Sequence, residues 1–168
     1  MDFYDVINSR RSVRAYKNDP IPKDALERIG QAVREAPSAC GLQPWRFRII
    51  LNPETRKKIC SVYTRPWLAQ APAIAAAIGD KESCWKRLDG RPAVDIDTAI
   101  AMEHLVLAAS AENLGTCWIC AYDVPQMDAV LGVSSPWTTV AITPVGYPAE
   151  PPGPARRKPL AEIFQVED

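Results

Sequence analysis

Residues 95–120 read DIDTAIAMEHLVLAASAENLGTCWIC, and within them 99–111 are apolar on nearly every side, interrupted only by Glu103, His104 and Ser110. Ala, Leu and Met are strong helix formers, so the run reads as a helix. Asp95 or Asp97 can cap its start, where acidic charge is favourable. Asn113-Leu114-Gly115 ends it, with Gly115 free to take the left-handed conformation. A helix that is apolar all round must be covered all round. In a chain of 168 residues, one sheet and a few helices leave part of it bare. The expected cover is a second copy of the protein; the alternative is a fold that buries the helix within one copy.

At this length one domain is expected, spanning 1–168 with 147–168 as an arm, and the chain can bury a sizeable core. Lys+Arg and Asp+Glu both number 20. That balance argues against bulk binding to nucleic acid or to an anionic membrane. The start, MDFYDVINSRRS, is charged early and has no apolar core of a secretory signal. The central helix carries Glu103 and His104 and falls short of a spanning segment. Five cysteines without framework-like spacing read as free thiols in a reducing cytoplasm.

Residues 2–9 read as a short helix with Phe3, Val6 and Ile7 on one face. RRSVRAY follows at 10–16. In an extended conformation Arg10, Ser12 and Arg14 share a face. The planar fork of arginine suits a phosphate, although a basic turn in solvent has the same composition. Pro22 opens a helix to about Ala36, with a stripe of Leu26, Ile29 and Val33. APSACGLQPWRF, at 36–47, begins as a loop of small residues that lets backbone approach a flat ligand, and Gln43 offers an amide. Trp45, Phe47, Ile49 and Leu51 alternate with Arg46 and Arg48 as a half-buried strand. Asn52-Pro53 opens a helix with Ile59, Val62 and Tyr63 inward. Residues 73–79 read as a buried strand and 80–94 as a surface loop or lid.

After the central helix, 116–122 read as a strand, Asp123 and Pro125 open a short helix to about Leu131, and 138–146 form another strand. The remainder is a proline-rich arm. It carries a second basic cluster, Arg156, Arg157 and Lys158, and an apolar end of Leu160, Ile163 and Phe164. The apolar end favours a strap across a partner over a disordered tail.

Neither common nucleotide fingerprint is present, and no zinc spacing appears. Cys117 and Cys120 are spaced as a CxxC, but they follow a helix instead of opening one, so no dipole lowers a thiol pKa. His104, the single histidine, sits inside a helix without a nucleophile elbow elsewhere. Conventional acid–base catalysis has little to stand on. Two basic clusters, a small-residue loop and abundant aromatics suit a flat, phosphorylated cofactor that carries the chemistry itself.

With these features the sequence resembles the nitroreductase family of flavin-dependent oxidoreductases. RRSVRAY is similar to the family's RRSxRxF/Y opening, APSACGLQPWRF to its APSxxNxQPWxF loop, NLGTCWIC to its GLGTxWxG segment, and RRKPLAEIF to its closing RKPLEEI. The four stand in the family's order over almost the whole chain. The resemblance implies an α+β fold, with a central mostly antiparallel sheet flanked by helices, as an intertwined homodimer holding FMN at its interface. It implies that Arg10, Arg11, Ser12 and Arg14 hold the phosphate, ribityl chain and pyrimidine edge. Pro37, Ser38 and Ala39 would line the ring from the partner subunit, with Gly41 and Gln43 in the same loop. Ile119 and Cys120 would border the flavin, and Arg157 and Lys158 would complete the phosphate site, with Arg156 as a substitute. NADH or NADPH would be the reductant, and a nitroaromatic or quinone the acceptor. Two positions depart from the pattern. Gly41 stands where the family has an amide-bearing Asn, and Cys120 stands where it has Gly. Both motivate an alternative, a flavin-binding or flavin-sequestering protein with little turnover.

Overall fold

The computed structural model describes residues 2–167. Five helices, α1 (Phe3–Ser9), α2 (Lys23–Arg34), α3 (Pro53–Val62), α4 (Val94–Ala111) and α5 (Val124–Leu131), flank four strands, β1 (Trp45–Ile50), β2 (Ala73–Asp80), β3 (Gly115–Thr116) and β4 (Trp137–Gly146). The strands form one sheet in the order β1-β2-β4-β3, with every pair antiparallel. This is the expected α+β architecture.

Local chemistry accounts for the helix starts. The Asp2 carboxylate accepts from the Asp5 N–H at 2.8 Å, Asn52 from the Thr55 N–H at 3.0 Å, and Asp123 from the Gln126 N–H at 2.8 Å. Each satisfies one of the donors that a helix start leaves without an intrahelical partner. Gly132, at φ 63°, closes α5 in the left-handed region.

The sheet separates two apolar cores. On one face Ile29 and Val33 of α2 and Leu105, Val106 and Ala109 of α4 pack on Ala73, Ala75 and Val145. On the other, Ile59 of α3 and Met127 and Leu131 of α5 pack on Ile74, Ala76, Ile78 and Ile142. Every residue of β2 is buried, because both faces are covered. The side of α4 turned away from the sheet is only partly covered in one copy: Ile96 is exposed, and Glu103 and Leu107 are half-buried.

Several expectations need correction. The α4 start is not capped by Asp95 or Asp97: Ala93 holds that place, and both aspartates lie in the first turn. Its end uses Asn113, at φ 61°, and the Leu114 N–H bonds back to the Ala109 carbonyl at 2.8 Å, while Gly115 starts β3. Asn tolerates the left-handed region better than other side chains, so it relieved Gly115 of that role. Pro22 precedes α2 as its cap instead of being its first residue. Residues 117–122 are not a strand. Only Ile119 bridges to Ile142: Pro144 of β4, opposite Cys117 in the same register, has no N–H to pair, and the Cys117 N–H donates instead to Thr143 Oγ1 at 2.9 Å. Leu51 lies beyond β1 and is exposed, and Phe3 and Ile7 are exposed while Val6 of the same helix is buried.

Candidate functional site

RRSVRAY crosses from α1 to the end of β3. Ser12 forms a parallel bridge with Thr116, and the Val13 N–H donates to the Thr116 carbonyl at 2.9 Å. Val13 is buried, so the residues either side of it, Ser12 and Arg14, face outward. Arg10, Arg11, Ser12, Arg14 and Arg157 line one cleft of ≈ 260 Å³, whose remaining wall is Gly153, Pro154 and Ala155 of the arm. The cluster near the N-terminus and the one in the arm, about 145 residues apart by subtraction of Ser12 from Arg157, therefore meet in one copy.

The arginines are not equivalent. Arg11 turns back and donates to the carbonyls of Asn8 and Arg10 at 2.6 and 2.8 Å, which closes the end of α1. Arg10 and Arg14 make no side-chain hydrogen bond among the described residues, so their N–H groups are open to an acceptor. Lys158 stands outside the cleft wall and pairs with Glu162 at 3.7 Å. Arg157 donates to the Arg156 carbonyl at 3.0 Å and keeps most of its N–H donors. Guanidinium groups with free donors around a small cleft are the chemistry of a phosphate site.

The loop at 37–43 is a second unit, held by its own side chains. The Gln43 N–H donates to Ser38 Oγ at 2.8 Å, and Gln43 Nε2 donates to the Arg34 carbonyl at the end of α2 at 2.7 Å. The amide of Gln43 thus serves the loop's shape. Cys40, Gly41 and Gln43 have φ of 52°, 66° and 46°. At Gly41 the left-handed turn is free of a Cβ penalty, which gives a local reason for Gly where the family pattern has Asn. The Ala39 N–H donates to Asp97 Oδ1 at 3.1 Å, tying the loop to the first turns of α4.

These two units lie at opposite ends of α4. Arg10 and Arg11 share a cleft with Ser110, Asn113 and Leu114 at its C-terminal end, whereas Ala39 sits on Asp97 near its start. At 1.5 Å per residue the separation along the helix is roughly 20 Å. Within one copy the two halves of the expected site do not meet.

Ile119 is buried and Cys120 exposed, on the irregular segment that runs back along β4. Partial burial of the Cys120 thiol, and then the Asp95 carboxylate near it, raise its pKa above the ordinary value. Cys117 is buried. A thiol pushed up and a partner facing inward are poor for a redox pair. His104 Nδ1 lies 3.0 Å from the Ala32 carbonyl of α2, a structural contact between helices. Among the described residues no group of His, Cys, Asp or Glu could hold a metal ion, and no helix is long and apolar enough to cross a membrane. The contact of Asp97 with Ala39 was not foreseen from sequence. Asp97 is one of three carboxylates in α4, and nothing in its spacing singled it out.

The structure thus places an open arginine cleft at one end of a central helix and a loop of small residues at the other. The profile described as Nitroreductase family matches residues 7–62 and 60–147, and the chain belongs to that family. It is 29% identical to a protein of Thermus thermophilus named NADH dehydrogenase, over 92% of this chain and 90% of that one. Its fold matches a nitroreductase family protein of Clostridium difficile 630 with a TM-score of 0.90, at 29% identity, covering 100% of this chain and 99% of the other. It also matches a protein of Clostridium difficile R20291 described as an FMN-dependent nitroreductase, at a TM-score of 0.83 and 25% identity over 97% and 98% of the two chains. The chain is an oxidoreductase by family.

Proposed function

We propose that the protein is an FMN-dependent oxidoreductase, working as a homodimer, that passes electrons from NADH or NADPH to a small organic acceptor of nitroaromatic or quinone type in a ping-pong sequence. The observation that carries this is the division of the site. A two-fold axis beside α4 would set the C-terminal end of one copy's helix, with its arginines, next to the start of the other's, with its 37–43 loop. Two equivalent sites would result, each incomplete without both copies.

Bound FMN would supply the two-electron chemistry. The chain's own residues bind and orient it. Arg10, Arg14 and Arg157 have the donors for its phosphate, and Ser12 lies between them to meet the ribityl chain. Arginine charge near the pyrimidine edge would stabilise negative charge there. Pro37, Ser38 and Ala39 present backbone and small side chains that allow a flat ring to approach closely. No titratable side chain of the site is needed as a proton donor for this scheme.

The partly bare side of α4 is where the second copy would lie. The arm supports the same reading. Leu160, Ile163 and Phe164 are 63–69% exposed on their own chain, a large apolar surface for a segment to leave in water. The edge strand β1 carries an apolar groove of ≈ 370 Å³ lined by Ile29, Val33, Trp45, Phe47, Ile49 and Leu105. An arm that crosses to a second copy has such a groove to end in.

Two measurements test the proposal. The purified protein, given FMN and held anaerobically, should show a flavin absorption spectrum that bleaches on addition of NADH or NADPH. A flavin spectrum that neither reductant bleaches would replace the reductase with a flavin-binding protein, and a protein that takes up no FMN would end the flavin reading. In sedimentation equilibrium the chain should have twice its 18.5 kDa mass, and a chain ending at Tyr147 should lose both the dimer and the flavin. A truncated chain that still dimerises would remove the strap.

A further inference from the structure

Asp97 is an anomaly that the proposed flavin site does not by itself explain. It is 3% exposed, on the fourth residue of α4. Oδ1 accepts from the Ala39 N–H at 3.1 Å, across 58 residues of sequence. Oδ2 is buried and has no hydrogen-bond partner among the described residues. A buried carboxyl oxygen without a donor is unfavourable, and an apolar residue would pack there at no such cost. Asp97 does not cap α4, since Ala93 holds that place. What it does for the 37–43 loop is specific. Ala39 immediately precedes Cys40 and Gly41, the two consecutive left-handed residues that reverse the chain. Ser38 and Gln43 close the loop on itself and on α2, and the Asp97 bond ties it to α4.

Resting on the flavin reading above, we propose that Asp97 is the positioning residue for the cofactor ring: it holds the Ala39 amide, and through it the surface that Pro37, Ser38 and Ala39 offer the partner's flavin. Asp97 acts through the loop and touches no reacting atom.

The test compares Asp97→Asn, which keeps an oxygen for the Ala39 N–H, with Asp97→Ala, which does not. FMN binding is read by quenching of flavin fluorescence, and the ring's surroundings by visible circular dichroism of the bound flavin. Asp97→Ala should weaken FMN binding about tenfold, the effect expected of one lost hydrogen bond to an ordered loop, and should change the flavin dichroism. Asp97→Asn should restore both. An alanine variant with unaltered affinity and dichroism would overturn the proposal, as would an asparagine variant that fails to restore them. A measurement on the unsubstituted protein stands independently of either variant. The Ala39 amide should exchange with deuterium more slowly than the neighbouring exposed Cys40 amide, and exchange at the unprotected rate would overturn the clamp. If the unsubstituted protein takes up no FMN, the flavin reading fails while the exchange experiment still decides whether Asp97 holds the loop.

Discussion

Replacing both Arg10 and Arg14 by Ala should leave a folded protein that no longer retains flavin through gel filtration. The two guanidinium groups line the ≈ 260 Å³ cleft with no side-chain partner among the described residues, so their removal strands nothing within the fold. Stability should change little, as for surface substitutions in general. Binding should change greatly. A hydrogen bond to a charged group contributes about 1.5–3 kcal/mol, so each arginine facing a phosphate carries roughly a 10- to 100-fold share of the affinity. Both side chains reach solvent, so the retained affinity should also fall with salt in the unsubstituted protein. Arg28→Ala is the control. Arg28 pairs with Asp24 at 2.8 Å and Glu112 at 2.6 Å on the surface, away from the cleft, and its loss should not alter FMN binding. Equal FMN affinity in the double variant, measured by fluorescence titration, would remove the phosphate assignment.

Gly115→Ala should destabilise the chain and displace the segment that carries the arginines. A Cβ at Gly115 would stand 2.7 Å from Val13 Cγ2, 2.8 Å from its Cβ and 2.9 Å from its Cγ1. Contact with the branch point itself cannot be relieved by turning a flexible tip, because valine is stiff at χ1. The segment that carries Ser12 and Arg14 would have to move off β3, lengthening the 2.9 Å bond from the Val13 N–H to the Thr116 carbonyl. Overpacking of this kind costs about 1–3 kcal/mol. For a chain of this size that lowers Tm by roughly 2–12 °C. FMN affinity should fall with it, since the displaced segment carries the arginines. Adding Val13→Ala to Gly115→Ala should restore much of the Tm by calorimetry. A double variant no more stable than Gly115→Ala would show that this contact is not the cause.

The two predictions touch parts of the molecule that were unequally legible beforehand. The arginines and the small-residue loop could be read because their chemistry is local: residue types within a few positions, each suited to the same ligand. The starts of α3 and α5 could be read for the same reason, since Asn52 and Asp123 reach only three residues along the chain. Contact between distant residues left no such trace. Asp97 meets Ala39 from 58 positions away, and Arg157 joins Arg10 only because the arm returns beside α1. The strand expected at 116–122 failed because Pro144 of β4, opposite Cys117, has no N–H to offer, so pairing stops at Thr116 and returns only at Ile119.

The amino-acid sequence alone determined that there would be a nearly all-apolar helix, antiparallel-capable strands around it, and basic and backbone-rich segments fit for a flat phosphorylated group. Those follow from periodicity, propensity and charge, which act within a few residues. The tertiary structure alone decided that the arginines of the start and of the arm share one cleft, that Gln43 Nε2 bonds the Arg34 carbonyl, and that the arginines and the 37–43 loop stand at opposite ends of α4. These depend on which surfaces become adjacent when the sheet and helices pack, and burial of apolar area sets that for the chain as a whole.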